Sequence, residues 1–159
     1  MVLTTVTQTK EMKRILFVIL SIILLAGCRN DTKERIFIAH RGVNMRYAAA
    51  GENSIEAIRL AKRAGFKAIE TDVRLTADSV LVAMHDHTLR RTCLNPDGSR
   101  VDKSFKVADF TMEQLKNDFV LRSPKEEMRT QIPTLEEYLK VCKEEGLLVF
   151  IEPKLRDTT

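Results

Sequence analysis

The stretch Phe66-Lys-Ala-Ile-Glu-Thr-Asp-Val73 combines an apolar run with two acidic residues near its end. Side chains alternate between the two faces of a strand, so Glu70 and Asp72, two residues apart, point to the same side. Two adjacent carboxylates repel each other and need a cation, and their oxygens suit Ca²⁺ or Mg²⁺ better than Zn²⁺. The stretch predicts a strand that ends in a metal site, although an isolated pair of this kind is also compatible with a solvated strand edge.

Three other apolar runs, at residues 35–39, 79–84 and 147–151, also predict buried strands. Two helices are predicted between them, at about 54–64 and 135–145. Alternating strands and helices favour an α/β fold with a parallel sheet covered by helices.

Local signals place the helix ends and an insertion. Asn53 is a candidate cap for the first helix, with Glu56 at its third position, and Gly65 is placed to end it. The stretch 87–134 is less regular and reads as an inserted loop region, in which Thr111 opens a short helix through a capping box.

Polar and charged residues follow every predicted strand. In barrels of parallel strands, active sites are built at this carboxyl-terminal rim. The Arg41 guanidinium and the Lys154 ammonium suit a phosphate group, and two histidines can share proton transfer near neutral pH. The pattern predicts phosphate-ester chemistry with a divalent cation as Lewis acid. The residues at the four strand ends are His40-Arg41, Glu70 with Asp72, His85-Asp86, and Glu152 with Lys154.

An export signal is predicted at the beginning of the chain. Residues 15–26 are almost entirely apolar and follow Lys13 and Arg14, but they fall short of the roughly 20 residues that a membrane-spanning helix needs. The run ends in Leu25-Ala26-Gly27-Cys28, which resembles the lipobox of bacterial lipoproteins, in which the cysteine is lipidated. An ordinary secretory signal with an incidental cysteine is the alternative.

These signals predict a signal peptide at 1–27 with cleavage before Cys28, a tether at 28–34 and a catalytic-type domain at 35–159. Met12 would begin a signal of more usual length than Met1 does. The expected location is the bacterial cell envelope, with the protein anchored to a membrane by lipid or released into the periplasm or outside the cell.

Composition excludes some classes of function. The chain has 159 residues, 44% hydrophobic and 30% charged, which fits one globular domain. Its net charge of +4 is scattered and only 6% of residues are aromatic, so a nucleic-acid partner is not expected. Cys93 and Cys142 do not have zinc-site spacing, and buried free thiols are expected rather than a disulfide.

At the same residues the chain resembles the glycerophosphodiester phosphodiesterase family, whose fold is a (β/α)8 TIM barrel of the phospholipase C-like type. The resemblance covers about residues 36–154. Six motifs occur in the family's order: His40-Arg41-Gly42, Glu52-Asn53-Ser54, Glu70-Thr71-Asp72, His85-Asp86 with Thr88-Leu89, Ile132-Pro133-Thr134-Leu135-Glu136-Glu137, and Glu152-Pro153-Lys154.

The resemblance implies a role for each site residue. His40 and His85 would be the general acid and base, and Arg41 and Lys154 would bind the phosphate. Glu52 would lie in or next to the first shell of a metal, Ca²⁺ or Mg²⁺. The implied reaction is cleavage of a glycerophosphodiester to glycerol 3-phosphate and an alcohol. The implied metal ligands are Glu70, Asp72 and Glu152.

A complete barrel of this type needs eight strands and about 250 residues, so the four predicted strands correspond to its N-terminal half. Three interpretations follow: a hydrolase whose sequence is truncated, an inactive lipid-anchored module that binds phosphodiesters or Ca²⁺, and a degenerate gene fragment. The intact set of site residues favours the hydrolase. The oligomeric state is not predicted.

Overall fold

The structure, a computed structural model, describes residues 35–43 and 50–154. The described residues from Ile36 onward belong to one compact unit. The predicted signal peptide, Cys28 and the tether lie outside the described residues. Within the described part of the chain, no helix is long and apolar enough to cross a membrane.

The described sheet has four strands built around the stretch that contains Glu70 and Asp72. Strand β2 (Ala68–Leu75) pairs in parallel with both β1 (Ile38–His40) and β6 (Leu148–Pro153). Strand β3 (Leu81–Ala83) pairs with the end of β2. All four predicted strands are therefore present, with boundaries shifted by one to three residues.

The orientation of β3 differs from the predicted parallel sheet. It runs antiparallel to β2, with Val73 opposite Ala83 and Leu75 opposite Leu81. A parallel pair needs a crossover of a dozen or more residues, whereas the connection 76–80 is too short for anything but a hairpin. The prediction of an entirely parallel sheet was wrong at this strand, and the parallel part of the described sheet consists of β1, β2 and β6.

Three α-helices accompany the sheet in the described residues: α1 (Ile55–Arg63), α2 (Met112–Asp118) and α3 (Leu135–Glu144). Two single-turn 3-10 helices, Val107–Asp109 and Glu126–Met128, lie in the insertion. Ser54, not Asn53, caps α1, because the Ser54 side chain accepts a hydrogen bond from the Ala57 amide. Complete capping boxes begin α2 and α3, at Thr111 with Gln114 and at Thr134 with Glu137. These reciprocal bonds satisfy the amides left unpaired at a helix start.

The core has two parts. One lies between the sheet and helices α1 and α3, and includes Ile58, Ile69 and Tyr138, each fully buried. The other fills the predicted insertion, which the structure shows to be an ordered subdomain with two short paired strands, β4 (Cys93–Leu94) and β5 (Val120–Leu121). Strands of two residues are too short to show an alternation of apolar and polar residues, so they could not be predicted from the sequence.

The prediction that Cys93 and Cys142 are free thiols is confirmed. Both are buried and neither forms a disulfide. Burial raises the pKa of each thiol to about 12, because a thiolate is poorly solvated there. Both cysteines therefore serve as small apolar core residues.

One face of the described sheet is apolar and uncovered by the described residues. Ile38 of β1 is 43% exposed, and Leu148 and Phe150 of β6, which the strand register places on the same face, are at least half exposed. Large apolar side chains on strands usually pack against another layer. The described strands therefore present an open sheet with apolar side chains on its surface.

Gly42 is required by a close approach between the turn after β1 and helix α1. Its φ is +76°, and a Cβ added there would lie 2.6 Å from the Ala57 Cβ. We expect Gly42→Ala to lower the free energy of unfolding by about 3 kcal/mol, from a left-handed backbone plus overpacking. Gly65→Ala is the matched control, because Gly65 has φ +86° but open space around it.

Urea denaturation of both variants measures the difference. Gly65→Ala should cost only about 1 kcal/mol, the backbone part of the effect. Equal losses in the two variants would contradict a steric role for the contact between Gly42 and Ala57.

Candidate active site

The register of the sheet brings the predicted site residues together in pairs. His40 at the end of β1 lies opposite Glu70 of β2, and Asp72 of β2 lies opposite Glu152 of β6. Because these strands run in parallel, the four side chains gather toward the same end of the sheet. Backbone pairing over a long sequence separation therefore builds the core of the site.

Three carboxylates form a candidate metal centre. Glu70, Asp72 and Glu152 each offer one oxygen, and these oxygens all lie within 4.8 Å of one another. Asp72 is fully buried, whereas Glu152 is exposed. Burial raises the pKa of Glu70, and the charge of Asp72 raises it further. Such crowding of anions is stabilised by a bound cation.

Two oxygens in this cluster fit that interpretation. Glu70 Oε1 and Asp72 Oδ1 are buried and have no hydrogen-bond partner among the described residues. Buried polar atoms are normally paired, and an unpaired one calls for a ligand or water. The carboxylate cluster could therefore hold a hard divalent cation.

Arg41 links several of these groups. Its backbone amide donates a hydrogen bond to Glu70 Oε2 at 3.0 Å. Its guanidinium lies 3.1 Å from Asp72 Oδ2 through Nε and donates from Nη1 to Glu52 Oε1 at 3.2 Å. With φ +55°, Arg41 turns the chain sharply after β1. Arg41, predicted to bind phosphate, thus lies at the carboxylate cluster and neutralises part of its charge.

Lys154 lies on the other side of the cluster. Its ammonium donates to Glu152 Oε1 and lies 3.7 Å from Asp72 Oδ1. The hydrogen bond with Glu152 raises the pKa of Lys154, so it is a fixed positive charge. Lys154, predicted to bind phosphate, thus lies beside two carboxylates of the cluster.

The two predicted acid–base histidines have different carboxylate partners. His40 Nε2 lies 3.7 Å from Glu70 Oε2, and the His40 side chain is 68% exposed. His85 Nδ1 lies 2.7 Å from Asp86 Oδ1. His40 therefore lies beside the carboxylate cluster, whereas His85 is paired with the aspartate that follows it in the chain.

Asp86 determines the tautomer of His85. Although burial alone would raise it, hydrogen bonds from Arg91 and His85 lower the pKa of Asp86 to about 2. An ionised carboxylate only accepts hydrogen bonds, so His85 Nδ1 must carry the hydrogen. This leaves His85 Nε2 able to exchange a proton.

Glu52 lies next to the carboxylate cluster rather than in it. Arg91 donates to both of its oxygens, at 2.7 and 2.8 Å, and Arg41 donates to one of them. These bonds lower the pKa of Glu52 despite its partial burial. Glu52 is thus joined to Asp72 through Arg41, one residue away from the candidate ligands.

Sequence reasoning missed Asn53 as a site residue. Asn53 is 1% exposed and has φ +56°. Its Nδ2 donates to Asp72 Oδ2 at 3.3 Å, and its Oδ1 accepts from Thr71 Oγ1 at 3.0 Å. Asparagine tolerates positive φ better than most residues, which is the only local signal of this role. Asn53 therefore holds the buried Asp72 carboxylate in position.

The fold and this site define an α/β-barrel protein with a candidate divalent-metal centre at the carboxyl ends of its strands. The chain belongs to the glycerophosphoryl diester phosphodiesterase family, whose family model matches residues 40–159. A second family model, the prokaryotic membrane lipoprotein lipid attachment site, matches residues 12–28.

Individual relatives agree with this assignment. A glycerophosphodiester phosphodiesterase of Caldanaerobacter subterraneus is 37% identical over 120 residues, covering 75% of this chain and 45% of the relative. Human glycerophosphodiester phosphodiesterase 1 is 34% identical over 128 residues, covering 74% of this chain and 33% of the relative.

A solved structure shows the same fold. The Oleispira antarctica phosphodiesterase in complex with the product sn-glycerol-3-phosphate superposes with a TM-score of 0.62 and 28% identity. The match covers 77% of this chain and 46% of that chain. The expected fold class, part of a TIM barrel of the phosphodiesterase type, is confirmed, and the chain spans less than half the length of these relatives.

Removing the Asn53 side chain should destabilise the site. In Asn53→Ala, Asp72 Oδ2 loses a donor, the buried Thr71 hydroxyl loses its acceptor, and alanine must adopt a positive φ. We expect a loss of about 3 kcal/mol in the free energy of unfolding, measured by chemical denaturation.

Ser54→Ala is the neighbouring control, with an expected loss of about 1 kcal/mol from the helix cap. If Asn53→Ala were no more destabilising than Ser54→Ala, the positioning role of Asn53 would be refuted.

Proposed function

We propose that this protein hydrolyses glycerophosphodiesters to glycerol 3-phosphate and an alcohol, as part of lipid metabolism. One observation carries the proposal: three carboxylate oxygens lie within 4.8 Å of one another, beside His40 and two cationic side chains. Membership of the family supports the same reaction class. The names of relatives, which describe glycerophosphodiester phosphodiesterases, agree with it.

The proposed cofactor is a hard divalent cation, Ca²⁺ or Mg²⁺, held by Glu70, Asp72 and Glu152. The donor set is all oxygen, and two of its buried oxygens have no hydrogen-bond partner in the described chain. Such a cation, when bound, supplies positive charge next to the phosphoryl oxygens of the substrate.

The chain's own residues supply the remaining chemistry. Lys154 and Arg41 contribute positive charge for the phosphodiester anion. In hydrolysis a water oxygen forms a bond to phosphorus as the bond to the leaving alcohol breaks, so one proton is removed from the water and one is delivered to the alcohol oxygen. We assign these two transfers to His85, through Nε2, and to His40.

Release of glycerol 3-phosphate tests the proposal. The full-length protein is incubated with a panel of glycerophosphodiesters in Ca²⁺, in Mg²⁺ or in a chelator. We expect turnover with at least one cation and none in the chelator. Asp72→Asn should lower kcat by at least about 100-fold. His40→Ala and His85→Ala should each lower kcat by more than about tenfold.

Glu136→Gln serves as the control, because Glu136 is an exposed carboxylate on α3, outside the cluster. Its kcat should stay within about twofold of the parent protein's. Turnover that survives chelation, or Asp72→Asn activity equal to that of Glu136→Gln, would refute the proposed centre.

We also propose that the protein is anchored in the bacterial cell envelope by lipid on Cys28. The lipoprotein attachment-site match at residues 12–28 supports this location. Replacing Cys28 by serine should move the protein from the membrane fraction to the soluble fraction of fractionated cells. An unchanged distribution would contradict the anchor.

A further inference from the structure

Arg91 belongs to the insertion, yet its guanidinium pairs with two carboxylates at the candidate site, Glu52 and Asp86. Its Nη1 and Nη2 donate to the two oxygens of Glu52 at 2.8 and 2.7 Å. Its Nε and Nη2 donate to the two oxygens of Asp86 at 2.6 and 2.8 Å. One guanidinium therefore holds two carboxylates, each through both oxygens, which is the geometry a planar fork allows.

The backbone on either side of Arg91 is fixed. Leu89 and Cys93 are buried, and the Cys93 amide donates to the Leu89 carbonyl at 2.8 Å, closing one helical turn around Arg91. The next residue, Thr92, is also buried, and its carbonyl accepts from the Arg122 amide at 2.8 Å. The guanidinium is thus presented from a rigid part of the insertion core, although 48% of the side chain is exposed.

The two carboxylates that Arg91 joins face different parts of the site. Asp86 accepts from His85 Nδ1 at 2.7 Å, so it determines which His85 nitrogen is protonated. Glu52 shares Arg41 with Asp72 of the carboxylate cluster. Because Arg91 contacts both oxygens of Glu52, that carboxylate is directed to the arginines and away from the candidate metal ligands.

We propose that Arg91 is a positioning residue that fixes the Asp86 carboxylate against His85 Nδ1 and holds Glu52 outside the metal centre. This role rests on the proposed function and extends it to a residue that touches neither the carboxylate cluster nor either proton-transfer nitrogen. His85 and Asp86 are neighbours in the chain and partly exposed. Without the fork, water competes for the Asp86 carboxylate, and His85 loses its fixed tautomer.

Arg91→Gln in the full-length protein tests this role against Arg90→Gln. Arg90 is the adjacent arginine and is also exposed. Unlike Arg91, it forms no ion pair with a carboxylate of residues 35–43 and 50–154. We expect Arg91→Gln to lower kcat by about 30-fold or more with KM within about threefold, because Arg91 acts through His85 rather than on substrate. Arg90→Gln should match the parent protein within about twofold.

Arg91→Lys separates charge from geometry. Lysine keeps the positive charge but lacks the fork, so it cannot hold both carboxylates through both oxygens. We expect its kcat to stay at least about tenfold below that of the parent protein. Recovery of parental kcat in Arg91→Lys would overturn the proposal, since charge alone would then suffice.

A second measurement is independent of turnover and of any metal. Nitrogen NMR of the histidine side chains reports which imidazole nitrogen carries the hydrogen. The spectra are recorded on the metal-free protein at a pH where the imidazoles are neutral. The signals that disappear in His85→Gln are those of His85. We expect one Nδ1–H tautomer at His85 in the parent protein and in Arg90→Gln, and a mixture in Arg91→Gln. An unchanged His85 signal in Arg91→Gln would overturn the proposal.

The two proposals fail in different ways. If the hydrolase assignment is wrong, neither the parent protein nor Arg90→Gln releases glycerol 3-phosphate, while the NMR comparison still decides the role of Arg91. If only the positioning role is wrong, the parent protein is active and Arg91→Gln behaves like Arg90→Gln in kcat and in its His85 signal.

Discussion

The structure of the site depends on one constraint, which is that the fully buried carboxylate of Asp72 must be compensated. A buried charge is costly unless it is paired and hydrogen-bonded. Asp72 receives Arg41 at 3.1 Å, Lys154 at 3.7 Å and the Asn53 amide at 3.3 Å. Each of these partners in turn carries a second polar contact. Ion pairs of alternating sign therefore extend outward from Asp72 in two directions. One series runs through Arg41, Glu52, Arg91 and Asp86. The other runs through Lys154 to Glu152.

This arrangement explains how the two parts of the described chain cooperate. The sheet supplies Glu70, Asp72 and Glu152, whose spacing is set by the parallel pairing of β2 with β6. The insertion supplies Arg91, whose contacts reach back to Glu52 and Asp86. A rigid sheet fixes the candidate metal ligands, and the core of the insertion fixes the group that orients His85. Both supports are needed because a catalytic geometry is only as precise as the residues that hold it.

The sequence allowed the strands, the helices and the carboxylate cluster to be predicted, because these leave local patterns. Glu70 and Asp72 share a strand face, and the residues of the rim follow directly after apolar runs. Three features escaped prediction for physical reasons. Strand β3 is antiparallel, which the short connection 76–80 could have indicated. Asn53 holds Asp72 instead of capping α1, and Arg91 pairs with Glu52 from 39 positions away, a contact without a local signature.

The most direct measurement is a crystal structure of the full-length protein soaked with Mn²⁺, an oxygen-seeking cation whose anomalous signal marks its position. We expect one strong peak bound by Glu70, Asp72 and Glu152, at about 2.0 to 2.6 Å from their oxygens, with Glu52 still paired to Arg91. A peak coordinated by Glu52, or saturating cation with no peak at the three carboxylates, would contradict this expectation.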